Sequence, residues 1–134
     1  MTFHVERIDH VVLRVRDLEA MAKFYQQVLG FSIVRRIERI NLIQMKAGAS
    51  MVDLMQADRP PSSDKTGGNM DHVCFRIEPF DREDILARLS PYGIALGEIM
   101  QRVGAEGEGP SVYFHDPEGN QIELKGPAAE TASH

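Results

Sequence analysis

Two histidines and two carboxylates occur at matching places in two similar stretches of the sequence. His10 lies in the run Ile-Asp-His-Val-Val-Leu-Arg-Val that starts at residue 8, and His72 lies in Met-Asp-His-Val-Cys-Phe-Arg-Ile, which starts at residue 70. Asp53 and Glu123 each stand between an aliphatic residue and a leucine. Imidazole nitrogens and carboxylate oxygens together suit a divalent transition metal. Such a set leaves positions open for water or substrate, so the four residues predict a catalytic metal site.

Each of these residues alone also has an ordinary explanation. A histidine in a strand can hydrogen-bond within its sheet, and an acid can lie on a solvated face. The alternation of apolar residues, however, places all four on the side of their strands opposite the apolar side chains. A carboxylate held in a cleft is costly unless it is paired or bound to a cation. Four such residues at matched positions of a repeat therefore favour the metal site over four unrelated explanations.

The elements that must position these residues follow the same order in both halves, βαβββ. An aspartate begins each predicted helix and a glycine ends it: Asp17 to Gly30 in the first half, and Asp81 to just before Gly93 in the second. The predicted strands are 8–15, 31–37, 40–46 and 50–56, then 70–77, 95–103, 112–115 and 120–125.

A repeated βαβββ unit predicts an α+β fold of two tandem modules. One helix covers one face of each sheet, so the two modules can either bury their open faces against each other or form a curved mixed β-sheet round a shared cleft. The four polar residues on those faces favour the cleft. We predict a single domain over residues 1–134. Its parts are module 1 at about 6–56, a linker at 57–69, module 2 at about 70–125 and a flexible tail at 126–134.

Composition excludes several classes of function. The chain has 134 residues and a net charge of −5 without a basic run, so neither nucleic acid nor a membrane surface is the expected partner. Apolar runs are too short to span a bilayer, and no secretory signal is visible, so we expect a cytoplasmic protein. The single cysteine, Cys74, excludes an internal disulfide and is predicted to be a buried, inert thiol.

Further polar residues share strand faces with the predicted ligands. Arg14 and Arg76 are expected to hold an anionic end of a substrate, although solvent-exposed or ion-paired arginines fit the same pattern. Tyr113 and His115 alternate with apolar residues and are predicted to face the substrate, with a rim position as the alternative for Tyr113. The glycine-rich segment 104–111 is predicted to be a mobile loop at the mouth of the cleft.

Several motifs together resemble the vicinal oxygen chelate superfamily. They are the first strand from His10 to Asp17-Leu18, the second Asp71-His72-Val73, and the run Asp-Pro-Glu-Gly-Asn-Gln-Ile-Glu-Leu from residue 116 to 124. The resemblance covers about residues 6–125. This group includes glyoxalase I, fosfomycin-resistance thiol transferases, extradiol dioxygenases and bleomycin-resistance proteins.

The resemblance implies that His10, His72 and Glu123 bind a divalent metal ion, with Ni, Zn, Mn, Co and Fe(II) all open. In glyoxalase I-like members a glutamate from the fourth strand of the first module completes the set, and this chain has Asp53 there. Its shorter side chain leaves three roles open, namely direct ligand, ligand through water, or catalytic base.

For activity, the resemblance implies a lactoylglutathione lyase-like metalloenzyme. Its metal chelates oxygens of a small metabolite or of a glutathione or other thiol adduct, while Glu123 or Asp53 moves a proton. Two alternatives stay open: a non-haem iron dioxygenase or fosfomycin-type thiol transferase, and a metal-free ligand-binding protein. The resemblance also implies a homodimer, with the cleft formed either within one chain or by exchanged modules.

Overall fold

The computed structural model describes residues 6–57, 70 and 72–128 of the chain. The chain divides into two compact units, Met1–Ser62 and Ser63–His134, which we call unit 1 and unit 2. Residues 58–69 of the predicted linker, Asp71, and residues 129–134 of the predicted tail lie outside the described residues. Gly126, the first residue of that tail, donates its backbone N–H to the carbonyl oxygen of Pro110 at 2.8 Å.

Unit 1 is a four-stranded sheet with one helix. Its elements are β1 (Val11–Val15), α1 (Leu18–Leu29), β2 (Ser32–Ile37), β3 (Leu42–Ala47) and β4 (Ser50–Gln56), with a 3₁₀ turn at Glu38–Ile40. The strand order is β1-β4-β3-β2. β1 runs parallel to β4, and the other neighbours are antiparallel.

Helix α1 has the ends and the buried face that its sequence predicts. The carboxylate of Asp17 accepts a hydrogen bond from the backbone N–H of Ala20 at 3.0 Å, and Gly30 ends the helix with a φ of 72°. The helix packs on β3 and β4. Its buried residues are Met21, Ala22, Phe24, Tyr25 and Val28.

Unit 2 repeats this plan. Its elements are β5 (Val73–Arg76), α2 (Arg82–Leu89), β6 (Met100–Gly104), β7 (Gly107–His115) and β8 (Gln121–Lys125), with a 3₁₀ turn at Ser90–Tyr92. The strand order β5-β8-β7-β6 matches that of unit 1, and β5 runs parallel to β8. The predicted α+β architecture of two βαβββ units is therefore confirmed.

The β7–β8 turn also agrees with the sequence. Asp116 is buried, and one of its carboxylate oxygens accepts the backbone N–H groups of Glu118 and Asn120, each at 2.9 Å. Gly119 has a φ of 90°, which suits glycine. This side-chain-stabilised turn holds β7 and β8 as the predicted hairpin.

The prediction of a mobile loop at 104–111 is wrong, because this segment belongs to the hairpin of β6 and β7. Gly104 pairs with Gly107 at the turn, and the ladder continues to Met100 and Ser111. The glycines make room for a neighbouring lysine: a Cβ added at Gly104 would lie 2.8 Å from Cδ of Lys125. One added at Gly109 would lie 2.6 Å from the carbonyl oxygen of Pro127. Close approach, rather than mobility, explains the glycine content.

Neither helix among the described residues has the length and apolar character needed to cross a membrane.

Candidate metal centre

In unit 1, strand alternation separates a core face from a face that carries His10 and Asp53. Leu13 and Val15 of β1, with Val52 and Leu54 of β4, are buried apolar residues. Asp53 lies on the opposite side of β4, with Val12 of β1 and Gln44 of β3 as its register partners. We call this opposite side the polar face of unit 1.

His10 and Asp53 form a loose pair on this face. His10 Nε2 lies 3.9 Å from Asp53 Oδ2, which is beyond hydrogen-bond distance. Asp53 is only 3% exposed, and its Oδ1 atom has no hydrogen-bond partner among the residues that the structure describes. A buried carboxylate oxygen without a donor is costly. Oδ1 of Asp53 is therefore a buried oxygen whose lost hydration no described hydrogen bond replaces.

A second carboxylate orients the ring of His10. His10 Nδ1 lies 2.8 Å from Asp9 Oδ2. The hydrogen bond to Asp9 raises the pKa of His10 above its usual value, and the charge of Asp53 raises it further. In the tautomer that donates Nδ1–H to Asp9, the lone pair of Nε2 is directed toward the Asp53 side. This carboxylate–histidine arrangement is the one that metal-binding histidines commonly use.

In unit 2, Glu123 is held at both of its oxygens. His72 Nε2 lies 3.1 Å from Oε1, and the hydroxyl of Ser111 donates a hydrogen bond to Oε2 at 2.6 Å. Glu123 is 4% exposed, and its register partners are Cys74 on β5 and Tyr113 on β7. The side of the sheet carrying these residues is the polar face of unit 2.

Arg102 extends this set of contacts. Its Nη1 donates to the carbonyl oxygen of Ser111 at 2.9 Å and to Ser111 Oγ at 3.2 Å. Its guanidinium carbon lies 4.6 Å from the centroid of the Tyr113 ring, and that ring meets His72 edge-on at 5.3 Å. These contacts fix a cation beside the His72–Glu123 pair.

Sequence reasoning missed Ser111 and Arg102. Ser111 was open to detection because it alternates with Tyr113 on the same strand. Arg102 required the register of β6 against β7, in which Arg102 lies opposite Gly109.

The other predicted substrate residues have different surroundings. Arg76 donates to Glu78 and to Glu106, at 2.7 Å in each case, so its charge is already paired. Arg14 is exposed on β1, and His115 is exposed at the end of β7. Of the four predicted substrate residues, Tyr113 is the one that directly contacts a predicted ligand, His72, among the contacts described.

Cys74 is exposed, so the prediction of a buried thiol is wrong. It has the same strand parity as His72 and Arg76, and it lies beside Glu123. Partial burial of the sulfur and the nearby carboxylate of Glu123 raise the pKa of the thiol to about 11, against an opposing effect of Lys125. A thiol of this pKa stays protonated near neutrality, so low reactivity stays a prediction for Cys74, for a reason other than full burial.

The structure brings the four predicted ligands together as two pairs, each within one unit. Among the residues described, no three histidine, cysteine, aspartate or glutamate side chains form a group that could hold a metal ion. The donor types nevertheless fit a divalent cation. Each pair offers one imidazole nitrogen and one buried carboxylate, and Asp53 Oδ1 has no other partner.

Comparison with known proteins agrees with the fold. A family model described as the glyoxalase/bleomycin resistance protein/dioxygenase superfamily matches residues 7–124. The chain belongs to this superfamily. The virulence protein STM3117 of Salmonella typhimurium is 37% identical over 124 residues, which cover 90% of this chain and 83% of that protein. The crystal structure of STM3117 superposes with a TM-score of 0.72 at 32% identity, covering 94% of this chain and all of the other.

Other members of the superfamily carry different functional names. The fosfomycin resistance protein FosX of Mesorhizobium japonicum is 28% identical, with 90% of this chain and 85% of that protein covered. Catechol-2,3-dioxygenase of Bacillus subtilis is 31% identical, but the match spans 87% of this chain and only 40% of that enzyme. Membership in the superfamily thus leaves the reaction open.

Proposed function

We propose that this chain is a metal-dependent enzyme that acts on a small oxygenated metabolite or thiol adduct. His10, Asp53, His72 and Glu123 are the proposed metal ligands. The single observation that carries the proposal is the buried Asp53 carboxylate, whose Oδ1 has no hydrogen-bond partner in the described part of the chain although the side chain lies near an imidazole. A bound divalent cation would compensate that atom.

The two carboxylates suit different roles. Glu123 is fixed by Ser111 and faces His72, so it suits a permanent ligand. Asp53 has a free oxygen and a looser contact, so it suits a weak ligand that also carries a proton. The metal, when bound, would supply Lewis-acid stabilisation of negative charge on substrate oxygens.

The proposed reaction is a glyoxalase-like isomerisation. Asp53 removes a proton from the carbon that bears one substrate oxygen and returns it to the neighbouring carbon, so one C–H bond breaks and another forms, while the hydroxyl proton of the first substrate oxygen passes to the second. The substrate gains and loses no other atom. Tyr113 and Arg102 would orient an anionic substrate group, because the guanidinium is already held over the ring. His115, Arg14 and Arg76 are the further candidates for substrate contact.

A second candidate is nucleophilic addition to a small anionic substrate, as in a fosfomycin-type thiol transferase. Two observations favour it. The FosX relative matches over most of its own length, and Arg102 provides a positioned cation on the polar face of unit 2. In that reaction the nucleophile would form a bond to a substrate carbon as the C–O bond at that carbon breaks, and Asp53 would accept the proton of the nucleophile and return it to the released oxygen.

The proposal takes one histidine–carboxylate pair from each unit, supplied by one chain or by two chains of a homodimer with exchanged modules. Light scattering tests the exchanged dimer, since a monomer that binds metal would exclude it.

The test begins with protein purified without chelator and analysed for metal content. Samples reconstituted with Ni²⁺, Zn²⁺, Mn²⁺, Co²⁺ or Fe²⁺ are then assayed in three ways. The assays are isomerisation of the methylglyoxal–glutathione adduct, oxygen uptake with catechols, and glutathione consumption with fosfomycin. We expect close to one metal ion per pair of units and activity in the first or third assay. Failure to bind any of the five ions would rule out the metal proposal and leave the ligand-binding alternative.

A further inference from the structure

The hydroxyl of Ser111 is the one polar group that joins Arg102 to Glu123 in the described contacts. Ser111 is fully buried on β7. It donates to Glu123 Oε2 at 2.6 Å and accepts from Arg102 Nη1 at 3.2 Å, while the same Nη1 donates to its carbonyl oxygen at 2.9 Å. Because a hydroxyl has a single proton, the donation from Arg102 directs that proton toward Glu123.

The same contacts decide where the second oxygen of Glu123 points. With Oε2 held by Ser111, Oε1 lies 3.1 Å from His72 Nε2. A freely rotating glutamate would lose side-chain entropy on binding a cation, whereas this carboxylate has been oriented beforehand. Ser111 therefore affects the geometry of Glu123 without being positioned as a ligand itself.

Unit 1 provides an internal comparison. Ser111 pairs across the sheet with Lys125, the second residue after Glu123. The matching residue of unit 1 is Leu42, which pairs with Met55, the second residue after Asp53. A leucine side chain offers no donor, and within residues 6–57 of unit 1 no group hydrogen-bonds to Oδ1 of Asp53. The hydroxyl is thus a feature of unit 2 and is not required by the βαβββ fold.

We propose that Ser111, with its proton directed by Arg102, is a positioning residue that orients Glu123 for binding a divalent cation together with His72. This inference rests on the proposed function, because it assumes that Glu123 is a ligand. Partners in the outer shell of a metal site typically change affinity by about 10- to 100-fold when they are removed.

The test measures binding of Co²⁺ alone, without substrate, by titration and by the absorption spectrum of the bound ion. Ser111→Ala should weaken Co²⁺ binding by about tenfold or more and change the spectrum. Arg102→Met should have a smaller effect in the same direction, and Ser111→Thr should restore most of the affinity by restoring the hydroxyl. Val112→Ala is the matched control, because it truncates the neighbouring buried residue on the apolar side of β7.

The outcomes separate this inference from the proposed function. If the unmodified protein binds Co²⁺ and Ser111→Ala binds it equally well with the same spectrum, Ser111 has no positioning role and the metal proposal stands. Equal losses in Ser111→Ala and Val112→Ala would overturn the inference by attributing the effect to general destabilisation. If the unmodified protein binds no Co²⁺, both proposals are overturned.

Discussion

The two units share one fold but differ in the hydrogen-bond partners that they provide for the acidic residue on the polar face. In unit 2 both oxygens of Glu123 have partners, one of them a hydroxyl at 2.6 Å. In unit 1 the nearest described partner of Asp53 is an imidazole nitrogen 3.9 Å away, and Oδ1 has none. The difference arises from one shorter side chain and one missing donor, Leu42 in place of a serine. A duplicated fold can therefore keep an acid at both matched positions while fixing one and leaving the other free.

The largest expected consequence is an unequal dependence of metal binding on the two acids. Glu123→Gln should weaken Co²⁺ binding by about a hundredfold or more, because it replaces a prepositioned anionic ligand by a neutral amide. Asp53→Asn should weaken binding less, by about tenfold, but should abolish turnover if Asp53 carries the proton. Calorimetric titration and steady-state assays measure the two effects.

The control for this pair is Glu106→Gln, which removes an exposed carboxylate of unit 2 that pairs with Arg76. It should leave Co²⁺ affinity unchanged. Equal losses of affinity in the Asp53 and Glu123 variants would show that the two units contribute alike, contrary to the difference in their contacts.

The same two substitutions should change the stability of the metal-free protein in opposite directions. Asp53→Asn removes a buried charge that lacks a hydrogen-bond donor, so the free energy of unfolding should rise by about 1 kcal/mol. Glu123→Gln weakens a charge-assisted bond to Ser111 and the pairing with His72, so it should lower the free energy of unfolding by about 1–2 kcal/mol.

Urea unfolding in the presence of EDTA measures both changes, with Glu83→Gln on the exposed side of α2 as the control. Destabilisation by Asp53→Asn as large as that by Glu123→Gln would mean that Asp53 is as well compensated as Glu123.

A structural feature could be predicted from the sequence when all the residues that determine it lie within one segment of the chain. Helix α1 was predictable because its cap, its glycine and its apolar spacing all lie within one segment, and strand parity likewise assigned Asp53 to the face opposite Leu54. Parity also placed Cys74 on the face of His72 and Arg76, away from the apolar residues of β5. Arg102 was not predictable, because its contact with Ser111 depends on the register of β6 and β7.

The glycine-rich segment shows a different limit. Its composition suggested mobility, but positions 104 and 109 require a residue without a Cβ, because Lys125 approaches Gly104 and Pro127 approaches Gly109. These close neighbours lie on β8 and just after it, and no pattern within the segment itself reveals the contacts. Sequence periodicity thus identified which residues share a face, while the actual partners on that face required the structure.

A thiol reaction can report on the charge next to Cys74 in metal-free protein. The pKa of about 11 leaves little thiolate at pH 8, so alkylation by iodoacetamide should be about tenfold slower than in the urea-unfolded chain. The thiolate fraction alone would lower the rate by more than tenfold, but a more basic thiolate is also a better nucleophile, and this partly offsets the loss. Glu123→Gln should accelerate the reaction, because the carboxylate helps to raise the pKa of the thiol.

Mass spectrometry after timed quenching gives the rate, and the chain's single cysteine makes the product unambiguous. Glu83→Gln, on helix α2, should leave the rate unchanged. An unchanged alkylation rate in Glu123→Gln would show that the carboxylate of Glu123 does not affect the pKa of the Cys74 thiol.

The smallest expected effect concerns the pKa of His10 in unit 1. Its hydrogen bond to Asp9, followed by the charge of Asp53, raises this pKa above 6.5 in the metal-free protein. Asp9→Asn should therefore lower the midpoint of the His10 resonances in an NMR titration, whereas Asp84→Asn on α2 should not. Because protonated His10 is favoured in the folded state, the contribution of Asp9 to stability should be complete below about pH 6.5 and disappear as the pH rises through the folded midpoint. An Asp53→Asn variant should lower the midpoint less than Asp9→Asn does; the reverse order would mean that Asp53, despite its 3.9 Å separation, is the dominant partner of His10.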